Sequence, residues 1–184
     1  MRVIAGIAKR IPLVAPFGQL TRPTSDMAKE GLFNILASTV PGASFLDLYA
    51  GSGAIGIEAL SRGASHAAFV EKCPLAFDTI KTNLKKTRLG ENASLYQNDS
   101  IDAIRFFCKS NAKFDIVFMD PPYSGVFLRP TLETLSRASI LAPDGFVVVE
   151  SDSKQIDNIP SSLYLTDTRK YGRAFFYFLK KVIS

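Results

Sequence analysis

Four residues, Asp120-Pro121-Pro122-Tyr123, carry the strongest chemical signal in the chain. They follow an apolar run at 114–119 that reads as a buried strand. Open α/β sheets bind ligands at the carboxyl ends of such strands. Two adjacent prolines fix two φ angles and remove two N–H donors, so the backbone is stiff and offers carbonyl acceptors without competing donors. A carboxylate stands before them and an aromatic ring after. The set makes an acceptor-rich cup with a stacking platform, suited to a planar ring that bears an exocyclic amine. Taken alone, the tetrapeptide is equally compatible with an ordinary turn.

A second group lies upstream. Gly51, Gly53 and Gly56 have the G-x-G-x-x-G spacing directly after an apolar run. Glycines so spaced allow a tight turn, close approach of backbone to ligand, and close helix packing. Dinucleotide enzymes use the same spacing. Glu71 follows Gly51 by 20 residues, where an acid can accept from both ribose hydroxyls, or else pair with Lys72 at the surface. Asp99, in Asn98-Asp99-Ser100, either takes an adenine amine or caps the helix that follows. Asp47 decides between cofactors. A carboxylate just before the glycine loop repels a pyrophosphate but attracts the ammonium and sulfonium of S-adenosylmethionine.

The elements that must position these residues alternate. Strands fit residues 44–49, 67–71, 93–97, 114–119 and 145–150, and helices fit 54–62, 74–89, 101–109 and 127–139. Pro74 suits a first helical position and Gly90 a helix stop. Before them, residues 2–17 read as a short hairpin or extended arm. A helix capped by Thr24, Ser25 or Asp26 then runs to about Ala37. After residue 153, strands at 164–168 and 174–179 form an antiparallel pair around Tyr171-Gly172. The alternation predicts an α/β fold: a mostly parallel, Rossmann-like seven-stranded sheet with helices on both faces. The last hairpin adds an antiparallel edge. We divide the chain into an N-terminal arm and helix, residues 1–42, and a main domain, residues 43–184.

Bulk properties narrow the field. The 184 residues suffice for one domain, and a net charge of +5 favours a polyanionic partner. The two cysteines, Cys73 and Cys108, form no C-x-x-C and read as free thiols of a reducing, cytoplasmic compartment. A lone histidine, His66, excludes sites needing two, so no metal is expected, and it reads as a strand start. No run reaches the ~18 apolar residues of a membrane span, and Lys9 and Arg10 interrupt any signal-peptide core. A monomer is expected.

Taken together, the motifs resemble class I S-adenosylmethionine-dependent methyltransferases that modify exocyclic amines of nucleic-acid bases. Further stretches narrow the likeness: Thr21-Arg22-Pro23-Thr24-Ser25-Asp26, Asp47 to Gly53, Glu58 to Ala64, Val70-Glu71-Lys72, Asp120 to Tyr123, and Lys170-Tyr171-Gly172. These are similar to the bacterial small-subunit ribosomal RNA guanine-N2 methyltransferase family, RsmD, over nearly the whole chain. The resemblance implies methylation of one guanine N2 in 16S rRNA, within an assembling small subunit. It implies that S-adenosylmethionine is held by Asp47, Tyr49, Gly51, Ser52, Gly53, Gly56, Glu71, Lys72, Asn98, Asp99, Ser100 and Asp120. The acceptor base falls to Asp120, Pro121, Pro122 and Tyr123. Two positions depart from the family pattern: the arm has only Ala8-Lys9-Arg10 where a denser basic cluster is usual, and Met27 stands where Arg is frequent. Both changes concern RNA contacts, not the cofactor or base pocket.

RNA contacts are expected near the same sheet edge, from Lys9, Arg10 and Arg22 of the arm and Arg169, Lys170 and Arg173 of the final hairpin. Lys81, Lys85, Lys86 and Arg88 read as a solvated helix face, and alternation should bury half of Phe175, Phe176, Tyr177 and Phe178. Rival readings are a DNA adenine-N6 methyltransferase, a protein glutamine methyltransferase, a nicotinamide-dependent oxidoreductase and a non-catalytic rRNA-binding assembly factor. The first would need a target-recognition domain for which this chain has little room. The second more often has Asn in place of Asp120. Asp47 argues against the third, and the intact acidic positions against the fourth.

Overall fold

The computed structural model describes residues 1–16, 24–122, 126–157 and 159–182. Seven strands form one sheet: β1 (Ser44–Asp47), β2 (His66–Val70), β3 (Ala93–Tyr96), β4 (Phe114–Met119), β5 (Leu141–Ser151), β6 (Leu163–Tyr171) and β7 (Ala174–Lys181). Their order is β3-β2-β1-β4-β5-β7-β6. The first five run parallel, while β7 is antiparallel to both β5 and β6. The mostly parallel seven-stranded sheet with an antiparallel C-terminal hairpin is therefore present.

Crossover helices α2 (Ala54–Ser61), α3 (Pro74–Thr87), α4 (Ser100–Lys109) and α5 (Leu128–Arg137) join the parallel strands. The chain moves outward from β1 through β2 to β3, then returns to β4 and β5. Right-handed crossovers consequently place α2 and α3 on one face and α4 and α5 on the other. Phe45, Ile57, Phe69, Phe118 and Phe176 fill the first layer. Leu46, Val70, Ile104, Phe107, Val117, Leu132 and Leu179 fill the second. Because both faces are covered, Phe176, Tyr177 and Phe178 are all buried, more than the half expected from alternation. His66 does open β2. No helix among the described residues is long and apolar enough to cross a membrane.

Several boundaries differ from the sequence reading, and three have a clear physical reason. β5 begins at Leu141 because its register with β4 shifts between Phe114 and Ile116, and Gly145 lies inside the irregularity. A Cβ on Gly145 would stand 2.7 Å from the Phe114 carbonyl, so a glycine there marks close approach of two strands, not a strand start. β6 is longer than expected because an edge strand exposes polar residues on both faces and loses the alternation signal. α3 ends at Arg88, which takes the left-handed conformation at φ 59°; Gly90 instead opens a short 3₁₀ turn.

The N-terminal residues form a hairpin closed by Val3 N–H to the Ile11 carbonyl (3.0 Å) and Arg10 N–H to the Val3 carbonyl (2.9 Å). It lies along α2. At its tip, Ile7 N–H donates to the Ser61 carbonyl (2.8 Å) and Ala8 N–H to Ser61 Oγ (3.0 Å). Nearer its ends, Val14 N–H donates to Asn83 Oδ1 (2.8 Å) and the Met1 sulfur accepts from Ser52 Oγ (3.4 Å). Buried Glu58 binds the hairpin between these points. It accepts from Ile4 N–H (2.7 Å), Ala5 N–H (3.0 Å) and Arg62 (2.8 Å), and faces Lys29 at 3.6 Å. Ser25 supplies the cap of α1 (Asp26–Ile35), accepting from Ala28 N–H at 3.1 Å. Helix α1 packs on the same face as α2 and α3.

Candidate active site

The carboxyl ends of the parallel strands gather acids. Asp47 pairs in register with Phe118, and Phe118 with Val148. Asp120 and Glu150 each lie two residues further along their strands, on the same side of the pleat as Asp47. Three carboxyls on adjacent strands β1, β4 and β5 thus face one side of the sheet, the last two about one pleat, ~7 Å, beyond the first. They are close enough to raise one another's proton affinity.

Asp47 is completely enclosed. Its Oδ2 accepts from Gly56 N–H at 3.1 Å, while Oδ1 has no hydrogen-bond partner among the described residues. Burial pushes its carboxyl up to about 7, against the opposing Gly56 hydrogen bond. Asp120 is half-buried and accepts no hydrogen bond from any described residue. Burial, then the neighbouring Asp152, raises its pKa. Pro121 is buried and Pro122 exposed. Tyr123 lies outside the described residues, as does Arg22.

The glycine loop between β1 and α2 turns on Gly51 and Gly53, both left-handed at φ 54° and 77°. Gly56 lets α2 approach the sheet: a Cβ there would stand 2.3 Å from the Phe69 ring. Glu71 ties the loop to β2. Its Oε2 accepts from Gly51 N–H (2.8 Å) and its Oε1 from Cys73 N–H (2.7 Å). It does not pair with Lys72, whose ammonium instead reaches Asp99 Oδ2 at 3.2 Å across an exposed surface. The other Asp99 oxygen caps α4 through Ile101 N–H (3.0 Å), and exposed Asn98 accepts from Asp99 N–H (2.8 Å). Ser52 gives its carbonyl to Asn83 Nδ2 (2.9 Å).

Tyr49 and Ser100 are turned to a different task. Ser100 Oγ donates to the Tyr49 hydroxyl (2.8 Å), which lies 2.6 Å from Thr131 Oγ1. Their polar atoms lock β1 to α4 and α5. They stand at the edge of the site, with their hydroxyls engaged inside the fold.

Two residues of the cluster were not read as site residues in the sequence: Glu150 and Thr24, whose hydroxyl donates to Glu150 Oε2 at 2.7 Å. A signal for Glu150 was available. It closes the apolar run 146–149 as Asp47, Glu71 and Asp120 close theirs. Burial, then Asp120, pushes its carboxyl above the usual range.

The basic candidates divide. β7 starts opposite Ser151, at the carboxyl end of β5, so the β6–β7 turn with exposed Arg169, Lys170 and Arg173 stands at the site's edge. Arg169 pairs with Asp167 at 2.8 Å, and Lys170 lies over the Phe175 ring at 5.2 Å. Tyr171 seats this turn on α1, where a Cβ on Gly31 would come within 2.3 Å of its ring. Lys9 and Arg10 do not share that edge. The hairpin tip binds the C-terminal end of α2, which leads into the start of β2, so both lie at the opposite, amino edge of the sheet. On α3, Lys81 pairs with Asp78 at 2.9 Å and Lys85 and Lys86 occupy the last turn, as a solvated helix face would.

Acids that line an edge beside a glycine turn, with partners still to find, suit a cationic ligand next to an amine-bearing ring. Known proteins point the same way. The family described as Conserved hypothetical protein 95 matches residues 1–180. The Bacillus subtilis protein named "Putative rRNA methyltransferase YlbH" is 40% identical over 173 residues, 94% of each chain. Ribosomal RNA small subunit methyltransferase D of Escherichia coli K12 is 32% identical over 94% of this chain and 86% of its own. Among solved structures, the Escherichia coli protein named "Putative methyltransferase yhhF" superposes with a TM-score of 0.84 at 31% identity, covering 98% of this chain and 97% of that one. The sheet order, the glycine turn and these likenesses agree: the chain belongs to the Conserved hypothetical protein 95 family, the RsmD family of ribosomal RNA small subunit methyltransferases, on a Rossmann-like class I fold.

Proposed function

We propose that this protein transfers a methyl group from S-adenosylmethionine to the exocyclic N2 of a guanine in 16S ribosomal RNA. The observation that carries this reading is Asp120. It is a half-buried carboxylate with no described donor, backed by two prolines at the strand end beside the glycine turn.

The residues fit the cofactor. Asp47 Oδ1 is a buried acceptor lacking a partner among the described residues, suited to a cationic methionine moiety reached directly or through water. Glu71, half-exposed beside Gly51, has lone pairs left for ribose hydroxyls, and Asp99 faces the same edge from β3. When bound, S-adenosylmethionine supplies a methyl carbon on sulfonium; transfer forms the N2–C bond, breaks the S–C bond, and leaves S-adenosylhomocysteine and one proton.

The chain's own residues prepare the amine. Guanine N2 is a poor nucleophile because its lone pair is delocalised into the ring. Asp120 and the Pro121 carbonyl accept its two hydrogens, favouring a pyramidal nitrogen and freeing the lone pair. Asp120 then takes the released proton, for which its raised proton affinity suits it. Tyr123 would stack on the base. Most of the rate comes from alignment and fixed dipoles. A paired guanine is out of reach, so the base must be unstacked or single-stranded. The basic β6–β7 turn supports an RNA substrate, and an assembling small subunit offers such a base before it is buried.

The test is methyl transfer from labelled S-adenosylmethionine to unmodified 16S rRNA, to unmodified small subunits, and to duplex DNA, with nucleosides identified by mass. N2-methylguanosine in RNA is expected, and N6-methyladenine in DNA would replace this reading. Asp120→Ala should lower transfer at least about a thousandfold while S-adenosylmethionine binds within a few-fold of wild type. Near-normal turnover of that variant would remove Asp120 from the chemistry.

A further inference from the structure

Glu150 is a second acid at the acceptor end of the site, and the chemistry above makes no use of it. The register Met119 with Val149 sets Asp120 and Glu150 side by side at the ends of β4 and β5, about 5 Å apart as neighbouring strands are. Both face the layer that holds α1 and α2. The glycine loop and Glu71 lie on the other side of Asp120, on β1 and β2. The order along the edge is therefore cofactor acids, Asp120, then Glu150. Glu150 is also oriented. Thr24, just before the cap of α1, donates to its Oε2 at 2.7 Å, and no described residue donates to its Oε1. A half-buried acid held by one oxygen, with the other directed elsewhere, is built to accept.

We propose that Glu150 selects guanine by accepting the N1–H that lies beside the N2 amine held by Asp120. This rests on the guanine-N2 reading. N1–H is the donor that separates guanine from adenine, whose N1 is an acceptor and would meet Glu150 lone pair to lone pair. Acceptance survives either protonation state, because a protonated carboxyl still accepts through its carbonyl oxygen. Thr24 makes the site asymmetric. In Glu150→Gln the threonine hydroxyl holds the amide oxygen, which turns the amide NH₂ toward the base and reverses the preference at N1.

The experiment compares two bases at the mapped target position of the RNA: guanosine, and 2-aminopurine riboside, which keeps the N2 amine but has an acceptor at N1. Wild type should favour guanosine by at least about tenfold in kcat/KM, the size of one charge-assisted hydrogen bond. Glu150→Gln should reduce that ratio at least about tenfold while its S-adenosylmethionine affinity changes less than about twofold. Fluorescence of the 2-aminopurine RNA, titrated in the presence of S-adenosylhomocysteine, should show tighter binding to the variant than to wild type. A variant that slows both bases equally and keeps the wild-type ratio would overturn the proposal. If Glu150→Gln fails to fold, the wild-type ratio decides: equal rates on the two bases overturn it. A wild type that forms no N2-methylguanosine overturns the reading beneath, and that result is distinct from equal rates on two bases.

Discussion

Asp47 sits in the core with one oxygen bonded to Gly56 N–H and the other without a described partner, and burial holds its carboxyl up to about 7. In the unfolded chain the same group titrates near 4. Between those values the native state binds more protons than the unfolded one. Its contribution to stability is therefore full below about pH 4 and is lost as pH rises through about 7. Asp47→Asn should flatten this dependence. Urea unfolding of the cofactor-free variant should show a gain on the order of 2–4 kcal/mol at pH 8 and little change near pH 4. The same residue should bind S-adenosylmethionine at least about tenfold more weakly once neutral. In wild type, a cationic ligand that favours the ionised form of Asp47 should bind more tightly from pH 6 to 8 and release a proton in calorimetry. Affinity indifferent to pH over that range would remove Asp47 from the cofactor's cations.

The elements are joined by a few buried polar contacts, and Glu58 on α2 is the densest. It serves two hairpin N–H groups and the cations of Lys29 and Arg62, and Lys29 is itself 1% exposed. Glu58→Ala leaves that ammonium without its carboxylate, and a loss of about 3–5 kcal/mol in chemical unfolding is expected. Protease cleavage confined to the first 14 residues at unchanged global stability would show instead that the hairpin is held separately. Four of the parallel strands were legible in the sequence because each carries an apolar run closed by an acid, and β3, with Ser94 inside it, was legible from the alternation of strands and helices. The ends of α3 and the start of β5 were not. Arg88 takes a conformation for which glycine is the usual signal, and Gly145 marks strand contact inside an element. Within the site, Asp47, Glu71, Asp99 and Asp120 were readable from local spacing. The bond from Thr24 to Glu150 spans 126 positions, and no local pattern announces it. Lys9 and Arg10 were misplaced for the same reason: their place depends on the hairpin folding back along α2.

Across the whole molecule, the two sheet edges differ in kind. The carboxyl edge combines buried acids with the exposed cations Arg169, Lys170 and Arg173, so in the proposed function RNA phosphates and a cationic cofactor would meet opposite charges on one rim. Replacing all three cations by Ala should weaken RNA binding and lower the slope of log K against log salt by about 2. The Lys9→Ala, Arg10→Ala pair, at the amino edge, should change that slope less. Equal slopes for the two variants would mean that the RNA wraps both edges. The thiols are divided along the same axis. Cys73 follows Glu71, and its N–H is held by that carboxylate beside the glycine turn, while Cys108 lies at the C-terminal end of α4 near Ser139. The molecule thus has a natural footprinting pair: alkylation at Cys73 reports on what covers the rim beside the glycine turn, and Cys108 measures the reagent itself.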